Sequence, residues 1–211
     1  MEATHHEEIY RKEGFDRMRQ AKILVCGAGA IGGNLIENLA RSGFVNLCVV
    51  DMDRVEQVNL STQPYVKDDI GTKKARAIAN RLYKAANVKC IVNDVELNEF
   101  NASKLVHGYD LVIDTFDNSA SRALVQEACL SNDKQLCLHV GMDGGYSEMI
   151  WDPGYKVPGP GKDDVCDYPL ARNMAVITSA IAAEMITIQV INGGEPSSRC
   201  FTLRDMKVSN Y

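Results

Sequence analysis

The segment from Lys22 to Gly32 constrains the fold of this chain more than any other, because an apolar strand there runs into three glycines that open a helix. Gly27 permits a tight turn, Gly29 lets the backbone approach a phosphate, and Gly32 lets the helix pack closely on the strand. The first turn of that helix, which includes Ala30, offers free N–H groups to anionic oxygens. The pattern predicts that these residues bind a nucleotide.

A carboxylate at the end of the second predicted strand supports the same site. Asp51 follows the apolar run 47–50 and lies about 20 residues after Gly32, the spacing at which an acidic residue accepts hydrogen bonds from ribose hydroxyls. An aspartate that only orders a turn or caps a helix is the alternative interpretation. We expect Asp51 to anchor a ribose.

Strands and helices alternate along most of the chain. Strands are predicted at 22–26, 47–50, 88–92, 110–114 and 135–139, and helices at 32–42, 72–86, 99–106 and 118–131. This order predicts a Rossmann-like α/β fold, with a doubly wound, mainly parallel sheet and helices on both faces, in one domain over residues 1–211. Since loops gather at the carboxyl ends of parallel strands, Asp51, the glycines and residues 114–118 should converge on one crevice.

Composition and charge argue against several classes of protein. Acidic residues outnumber basic ones by 28 to 23, so we expect no nucleic-acid partner. The N-terminus lacks the order of a signal peptide and the seven cysteines are scattered, which favours a cytoplasmic protein without a disulfide framework. Polar residues interrupt the apolar stretch 174–191, so a helix at about 172–192 is predicted to be buried against the sheet and not to span a membrane.

Three prolines and three glycines lie between Trp151 and Asp164, a stretch that can form neither a helix nor a central strand. We expect a crossing loop over about 152–166. A loop of this length in a compact domain is more often functional than merely connective, and this one leads to Cys166.

Three motifs in order identify a family resemblance: the segment from Asp51 to Gln63, the segment from Gly71 to Lys74, and the segment from Asp114 to Asn118 followed by Arg122. Together they resemble the ThiF/MoeB and ubiquitin-activating-enzyme superfamily of ATP-dependent adenylyltransferases. The resemblance implies a homodimer that uses ATP and Mg²⁺. It also implies a substrate, the C-terminal carboxylate of a small β-grasp carrier protein, usually ending in Gly-Gly.

The resemblance assigns roles to residues that the chemistry also suits. It places Asp53 and Asn59 against the nucleotide, although a local turn at Asn59 would explain that residue as well. Lys74 begins a predicted helix, where the helix dipole disfavours a cation. A contact between its long side chain and the phosphates explains a lysine at this position better than local stabilisation of the helix does. Lys73 in that role, or a solvated helix face, is the alternative.

Asp114 and Asp117 lie at and just beyond the end of a predicted strand, where a Mg²⁺ ion on the phosphates needs one carboxylate and several waters. Asp117 matches the metal-binding aspartate of the family, and Asn118 beside it is assigned to the cofactor. An N-cap role for Asp117 and a loop-ordering role for Asp114 are the alternatives. The adenylation step needs no general base, because a carboxylate is already a nucleophile at neutral pH.

The chain departs from the family pattern in its cations and cysteines. Thr62 stands where relatives usually carry an arginine that contacts phosphate, and Ala3 and Thr4 stand where an arginine reaches across the dimer. Arginines that could replace the latter are Arg11, Arg17 and Arg19. Without Cys-X-X-Cys pairs, a four-thiolate zinc site is not expected.

Cys166 matches the segment that carries the thioester-forming cysteine of ubiquitin-activating relatives. Nearby aspartates oppose the thiolate there, so an incidental loop cysteine is the alternative.

Other functions fit parts of the sequence. An enzyme that adenylates a small-molecule carboxylate, like the HcgE branch of the superfamily, would keep the chemistry and change the substrate. A non-catalytic nucleotide-binding partner subunit would explain Thr62. An NAD-dependent oxidoreductase fits the glycines and Asp51 but explains neither Asn59, Lys74 nor Asp117.

Overall fold

The computed structural model describes residues 4–132, 135–152, 154–159 and 171–211, and it contains a single eight-stranded sheet in those ranges. The strands are β1 (Lys22–Cys26), β2 (Asn46–Val50), β3 (Ile91–Asn93), β4 (Leu111–Asp114), β5 (Cys137–Asp143), β6 (Tyr146–Trp151), β7 (Arg199–Thr202) and β8 (Lys207–Asn210). The α-helices are α1 (Thr4–Gln20), α2 (Ala30–Ser42), α3 (Lys74–Ala86), α4 (Ala102–Val106), α5 (Ser119–Ser131) and α6 (Arg172–Asn192), and short 3₁₀ helices cover Gln57–Ser61 and Lys67–Asp69.

The parallel half of the sheet confirms the predicted α/β fold. Its strand order is β3-β2-β1-β4-β5, with every neighbouring pair parallel, so the order reverses between β1 and β4. Ligands of such sheets bind outside the carboxyl ends of the strands at this reversal point. The glycine loop after β1 and the loop after β4 therefore lie side by side.

The antiparallel half was not predicted from the sequence. Strand β5 continues past the predicted end at 139, turns at Gly144-Gly145 and returns as β6, with Asp143 paired to Tyr146. Gly144 has a φ of +54°, the left-handed conformation that two-residue hairpin turns require. Strands β7 and β8 extend the sheet by further antiparallel pairing, beyond the region covered by the predicted strands.

Several element boundaries differ from those predicted. Helix α3 ends at Ala86, and Asn87 after it takes the left-handed conformation at φ +53°. Strand β3 begins at Ile91 instead of residue 88. The helix predicted at 99–106 forms only from Ala102, because Asn98 and Asn101 hold a turn before it: the Asn98 N–H donates to Asn101 Oδ1 at 2.9 Å.

Helix α6 has the length and apolar character of a membrane span, yet it packs within the fold. It lies against α2, α1 and strands β5 and β6. Its small buried residues permit a close approach, and the Ser179 hydroxyl donates to the Ile31 carbonyl of α2 at 2.9 Å. This is the arrangement predicted for a helix buried against the sheet.

Candidate active site

The glycine loop after β1 has the geometry of a phosphate-binding turn. Gly27 has a φ of +98°, and its N–H donates to the Val50 carbonyl at 2.8 Å. A Cβ on Gly32 would lie only 2.1 Å from the Gly27 carbonyl oxygen, so α2 starts closer to the loop than any side chain allows. A Cβ on Gly29 would meet no described atom within 4 Å. Gly29 therefore borders open space at the N-terminus of α2, where a phosphate has room to approach.

Asp51 joins this loop to the end of β2. Its carboxylate is buried and accepts hydrogen bonds from the Ala28 N–H at 2.7 Å and from the Asp53 N–H at 2.8 Å. Burial raises the pKa of Asp51, and these two hydrogen bonds and the nearby charge of Lys74 oppose that rise. Each carboxylate oxygen keeps a lone pair for a ribose hydroxyl, so Asp51 can order the loop and anchor the ribose together.

Lys74 is the first residue of α3, as predicted, and it is buried. Its Nζ lies 2.9 Å from Asp53 Oδ2, and the half-exposed Asp53 carboxylate connects it to the segment after Asp51. Lys73 is committed elsewhere, because its Nζ donates to the Met52 carbonyl. Both lysines thus have a partner within the protein, and the contact of Lys74 with phosphate remains a prediction.

Asn59 makes the local turn that was the alternative to a ligand contact. Its Oδ1 accepts a hydrogen bond from the Glu56 N–H at 2.8 Å, at the start of the 3₁₀ helix Gln57–Ser61. This contact occupies the amide oxygen and not the amide nitrogen. Donation by Asn59 to a phosphate remains a prediction.

In the loop after β4, Asn118 caps the following helix, and its neighbour Asp117 does not. Asn118 is the N-cap of α5, since its Oδ1 accepts a hydrogen bond from the Ser121 N–H at 2.8 Å. The alternative N-cap role for Asp117 is therefore wrong, and the exposed Asp117 carboxylate stays outside the cap. The cap uses the side-chain oxygen of Asn118 and not its amide nitrogen, so its contact with the cofactor remains a prediction. Asp114 orders the loop, because its Oδ1 accepts from the Phe116 N–H at 3.0 Å.

A cavity of about 400 Å³ opens beside Asp117. Its wall includes Arg122 of α5, Glu148 of β6, and Pro158 and Gly159 of the described part of the predicted crossing loop. Burial raises the pKa of Glu148, and the charge of Arg122 opposes that rise. The cavity is large enough for a small molecule or for the narrow end of a peptide.

Sequence reasoning did not single out a buried cluster of titratable residues that Tyr155 connects to Arg122 in the wall of this cavity. His139 Nδ1 lies 2.8 Å from Asp114 Oδ2, and His139 Nε2 lies 3.0 Å from Asp152 Oδ2. The Tyr155 ring stacks on the imidazole at 3.9 Å between centroids, with an interplanar angle of 10°. A histidine inside an apolar strand was the available signal, since buried polar groups need partners.

A second residue that was not predicted contacts Thr62, the position where relatives usually carry an arginine. Arg172, the first residue of α6, donates to the carbonyls of Thr62 at 3.2 Å and Gln63 at 3.4 Å. The two hydrogen bonds use only Nη1, and a guanidinium has further N–H donors on its other nitrogens. Arg172 thus brings a cation to the place where Thr62 replaces one.

The roles predicted for Cys166 and for the arginines of α1 remain predictions. Cys166 lies outside the described residues, so its thioester role remains a prediction. Arg17 donates to the Ile191 carbonyl, and the Arg19 guanidinium lies 5.9 Å from the Phe15 ring centroid, so both contact their own chain. Arg11 has a φ of +57° and interrupts α1.

Comparisons with known proteins agree on one family. The sequence model of the ThiF family matches residues 4–209. The chain is 37% identical over 134 residues to the SUMO-activating enzyme subunit 2 of Dictyostelium discoideum, covering 62% of this chain and 20% of that protein. It is 38% identical over 127 residues to the sulfur carrier protein adenylyltransferase of Thermus thermophilus, covering 59% and 46% respectively. The chain thus spans about half the length, or less, of these curated relatives.

Solved structures show the same fold. The Escherichia coli MccB structure with ATP covers 98% of this chain at a TM-score of 0.78 and 18% identity, and 69% of that chain is matched. The bound ATP is an observation on MccB alone. For this chain, the similarity supports the fold described above.

Proposed function

This chain belongs to the ThiF family, and on that premise we propose that it is an ATP-dependent adenylyltransferase that activates the C-terminal carboxylate of a small carrier protein. The observation that carries the proposal is the meeting of three loops at the reversal point of the sheet. The Ala28 N–H binds Asp51, Lys74 binds Asp53, and the Thr115 hydroxyl donates to the Cys26 carbonyl at 2.8 Å.

The nucleotide is proposed to lie across these loops. Asp51 would hold the ribose, while the N-terminus of α2, Lys74 and Arg172 would face the phosphates. Asp117 would hold a Mg²⁺ ion, because an exposed carboxylate at the end of a strand suits a hard cation that keeps several waters. When bound, that ion would neutralise negative charge on the triphosphate as pyrophosphate leaves.

Adenylation then requires alignment more than acid–base chemistry. A carboxylate oxygen of the substrate attacks the α-phosphorus, the bond from that phosphorus to the bridging oxygen breaks, and pyrophosphate leaves with the electron pair. The protein contributes by holding the carboxylate in line and by stabilising the leaving charge. Lys74 and Arg172 would be the cations that provide this stabilisation.

A small-molecule carboxylate is the second candidate substrate. The cavity beside Asp117 has a volume of about 400 Å³, within the range of small-molecule sites. Another relative is named a tRNA threonylcarbamoyladenosine dehydratase, from Haemophilus influenzae, at 34% identity over 144 residues that cover 66% of this chain and 54% of that protein. Its name indicates that this family also acts on substrates other than carrier proteins.

ATP–pyrophosphate exchange decides between these substrates. Labelled pyrophosphate should enter ATP when a small β-grasp protein ending in Gly-Gly is supplied, and removal of its last glycine should abolish the exchange. Exchange with only a small organic acid would favour the second candidate. Tight binding of NAD without binding of ATP, measured by titration calorimetry, would contradict both.

The proposed homodimer and cytoplasmic location are checked by light scattering and by cell fractionation.

Arg172 provides a separate prediction. Arg172→Gln should lower kcat/KM for ATP by roughly 10-fold or more, because a charge-assisted hydrogen bond contributes about 1.5–3 kcal/mol. Arg204→Gln, which alters an exposed arginine in the turn between β7 and β8, is the matched control and should change little. Equal kinetics for the two variants would remove Arg172 from the phosphate site.

A further inference from the structure

The charged cluster of Asp114, His139 and Asp152 is unusual because it is buried and lies between two strand ends. The side chains of Asp114 and His139 are fully buried, and Asp152 is 6% exposed. Asp114 ends β4, His139 lies in the middle of β5, and Asp152 follows β6. The imidazole therefore connects three neighbouring strands at the edge of the sheet where the candidate active site lies.

Hydrogen bonds lead from this cluster to the loop that carries Asp117. Asp114 accepts from the Phe116 N–H through one oxygen and contacts His139 through the other. At the next peptide unit, between Phe116 and Asp117, Arg122 Nε donates to the Phe116 carbonyl at 2.7 Å. Phe116 immediately precedes Asp117, so its backbone is held from both sides.

The second branch leads to the wall of the cavity. Arg122 Nη1 donates to the Tyr155 hydroxyl at 2.8 Å, and the Tyr155 ring covers His139. Gln126 Nε2 donates to Asp152 Oδ1 at 2.8 Å and to the Tyr155 carbonyl at 3.0 Å. The cluster thus holds the segment that continues to Pro158.

Both ring nitrogens of His139 face carboxylate oxygens, which accept and do not donate when ionised. The charged groups around the ring are Asp114 of β4, Asp152 after β6 and Arg122 of α5, with Glu148 of β6 interacting with Arg122. The thiols of Cys26 and Cys137 also lie near Asp114, and burial raises the pKa of both thiols. Burial disfavours a charged ring at His139, but its hydrogen bonds with Asp114 and Asp152 and their charges outweigh burial and raise its pKa above the usual value for histidine.

We propose that His139 is a positioning residue: as a doubly protonated imidazolium it donates to Asp114 and Asp152 and thereby fixes the Phe116–Asp117 loop against the segment after β6. The inference rests on the proposed function only for its consequence, namely that Asp117 is held where a Mg²⁺ ion on ATP requires it. His139 acts through Asp114 and contacts neither nucleotide nor metal.

A metal ion at the same place is the main competing interpretation. Donor atoms of Cys137, His139 and Asp152 all lie within 4.8 Å of one another. An ion on Nε2 would exclude the proton that donates to Asp152. Nitrogen-15 NMR of histidine-labelled wild-type protein separates the two states: both ring nitrogens should be protonated at pH 7. One unprotonated nitrogen, or stoichiometric zinc by elemental analysis, would overturn the proposal.

Two substitutions test the positioning directly. His139→Asn keeps an amide donor near the position of Nδ1 and so can still bind Asp114, whereas His139→Gln places its donor near Nε2 and leaves Asp114 without one. Hydrogen exchange should show the amide of Phe116 protected in wild type and His139→Asn and exchanging faster in His139→Gln. Leu138→Ala, a buried neighbour on β5, is the control for lost stability and should leave the loop protected.

Magnesium dependence provides the functional readout. His139→Gln should raise the Mg²⁺ concentration for half-maximal exchange activity by ~10-fold or more, since residues that orient metal ligands typically contribute that much to affinity. Leu138→Ala should lower Tm without this change. If the wild type supports no exchange with any carboxylate, the proposed function fails while the hydrogen-exchange comparison still decides the positioning role. Equal protection of Phe116 in both His139 variants would overturn it.

Discussion

Asp117→Asn should lower the rate of ATP–pyrophosphate exchange by ~10²-fold or more while leaving the fold intact. The substitution keeps the size of the side chain and removes the negative charge that a Mg²⁺ ion requires. The fold should not respond, because the Asp117 side chain is exposed and Asn118 caps α5. The loss should therefore appear in kcat and in the Mg²⁺ dependence, with an unchanged Tm.

Asp143→Asn is the matched control for this variant. Asp143 is also an exposed aspartate on the wall of the same cavity, at the end of β5, and no role in the reaction is assigned to it. It should keep exchange activity within a few-fold of wild type. If Asp117→Asn behaves like Asp143→Asn, the metal site lies elsewhere.

The parts of the site that could be predicted from sequence are those fixed by local chemistry. The glycine loop can be recognised in the sequence because glycine suits the φ of +98° at Gly27 and the close approach at Gly32. Asp51 follows from its distance to that loop along the chain. In both cases the sequence spacing and the geometry are set by one strand, one turn and one helix.

The remaining parts depend on contacts between distant residues. His139 meets Asp114, 25 positions earlier, and Asp152, 13 positions later, and these pairs exist only because β4, β5 and β6 are neighbours. The antiparallel return at Gly144-Gly145 was not predicted, so Asp152 had no expected partner. Arg172 reaches Thr62 across 110 positions, which no local pattern reveals.

The sequence alone also does not decide which of the adjacent residues Asp117 and Asn118 caps the helix. Asp117 and Asn118 are both good N-cap residues. The structure gives the cap to Asn118 through its contact with the Ser121 N–H, which leaves the carboxylate at the edge of the cavity. The amide serves the helix and the charged group is available for a cation, which suits the chemistry of each.

Two glycine variants should separate folding from nucleotide binding in the loop after β1. Gly32→Ala places a Cβ 2.1 Å from the Gly27 carbonyl oxygen and 2.4 Å from Thr115 Oγ1, and backbone cannot move away as a flexible side chain would. Overpacking of this kind typically costs about 1–3 kcal/mol, so Tm should fall by roughly 2–12 °C. Calorimetric unfolding without nucleotide measures this loss.

Gly29→Ala should instead weaken ATP binding and leave thermal stability nearly unchanged. Its Cβ meets no described atom within 4 Å, and Gly29 has a φ of −78°, so no left-handed strain is added. The methyl group instead occupies the space through which a phosphate approaches the first N–H groups of α2, and the Kd for ATP should rise by ~10-fold or more with little change in Tm. Titration calorimetry on both variants tests the division. Wild-type affinity in Gly29→Ala would show that the phosphates do not approach this loop, because a ligand that binds there has to pass within contact distance of the added carbon.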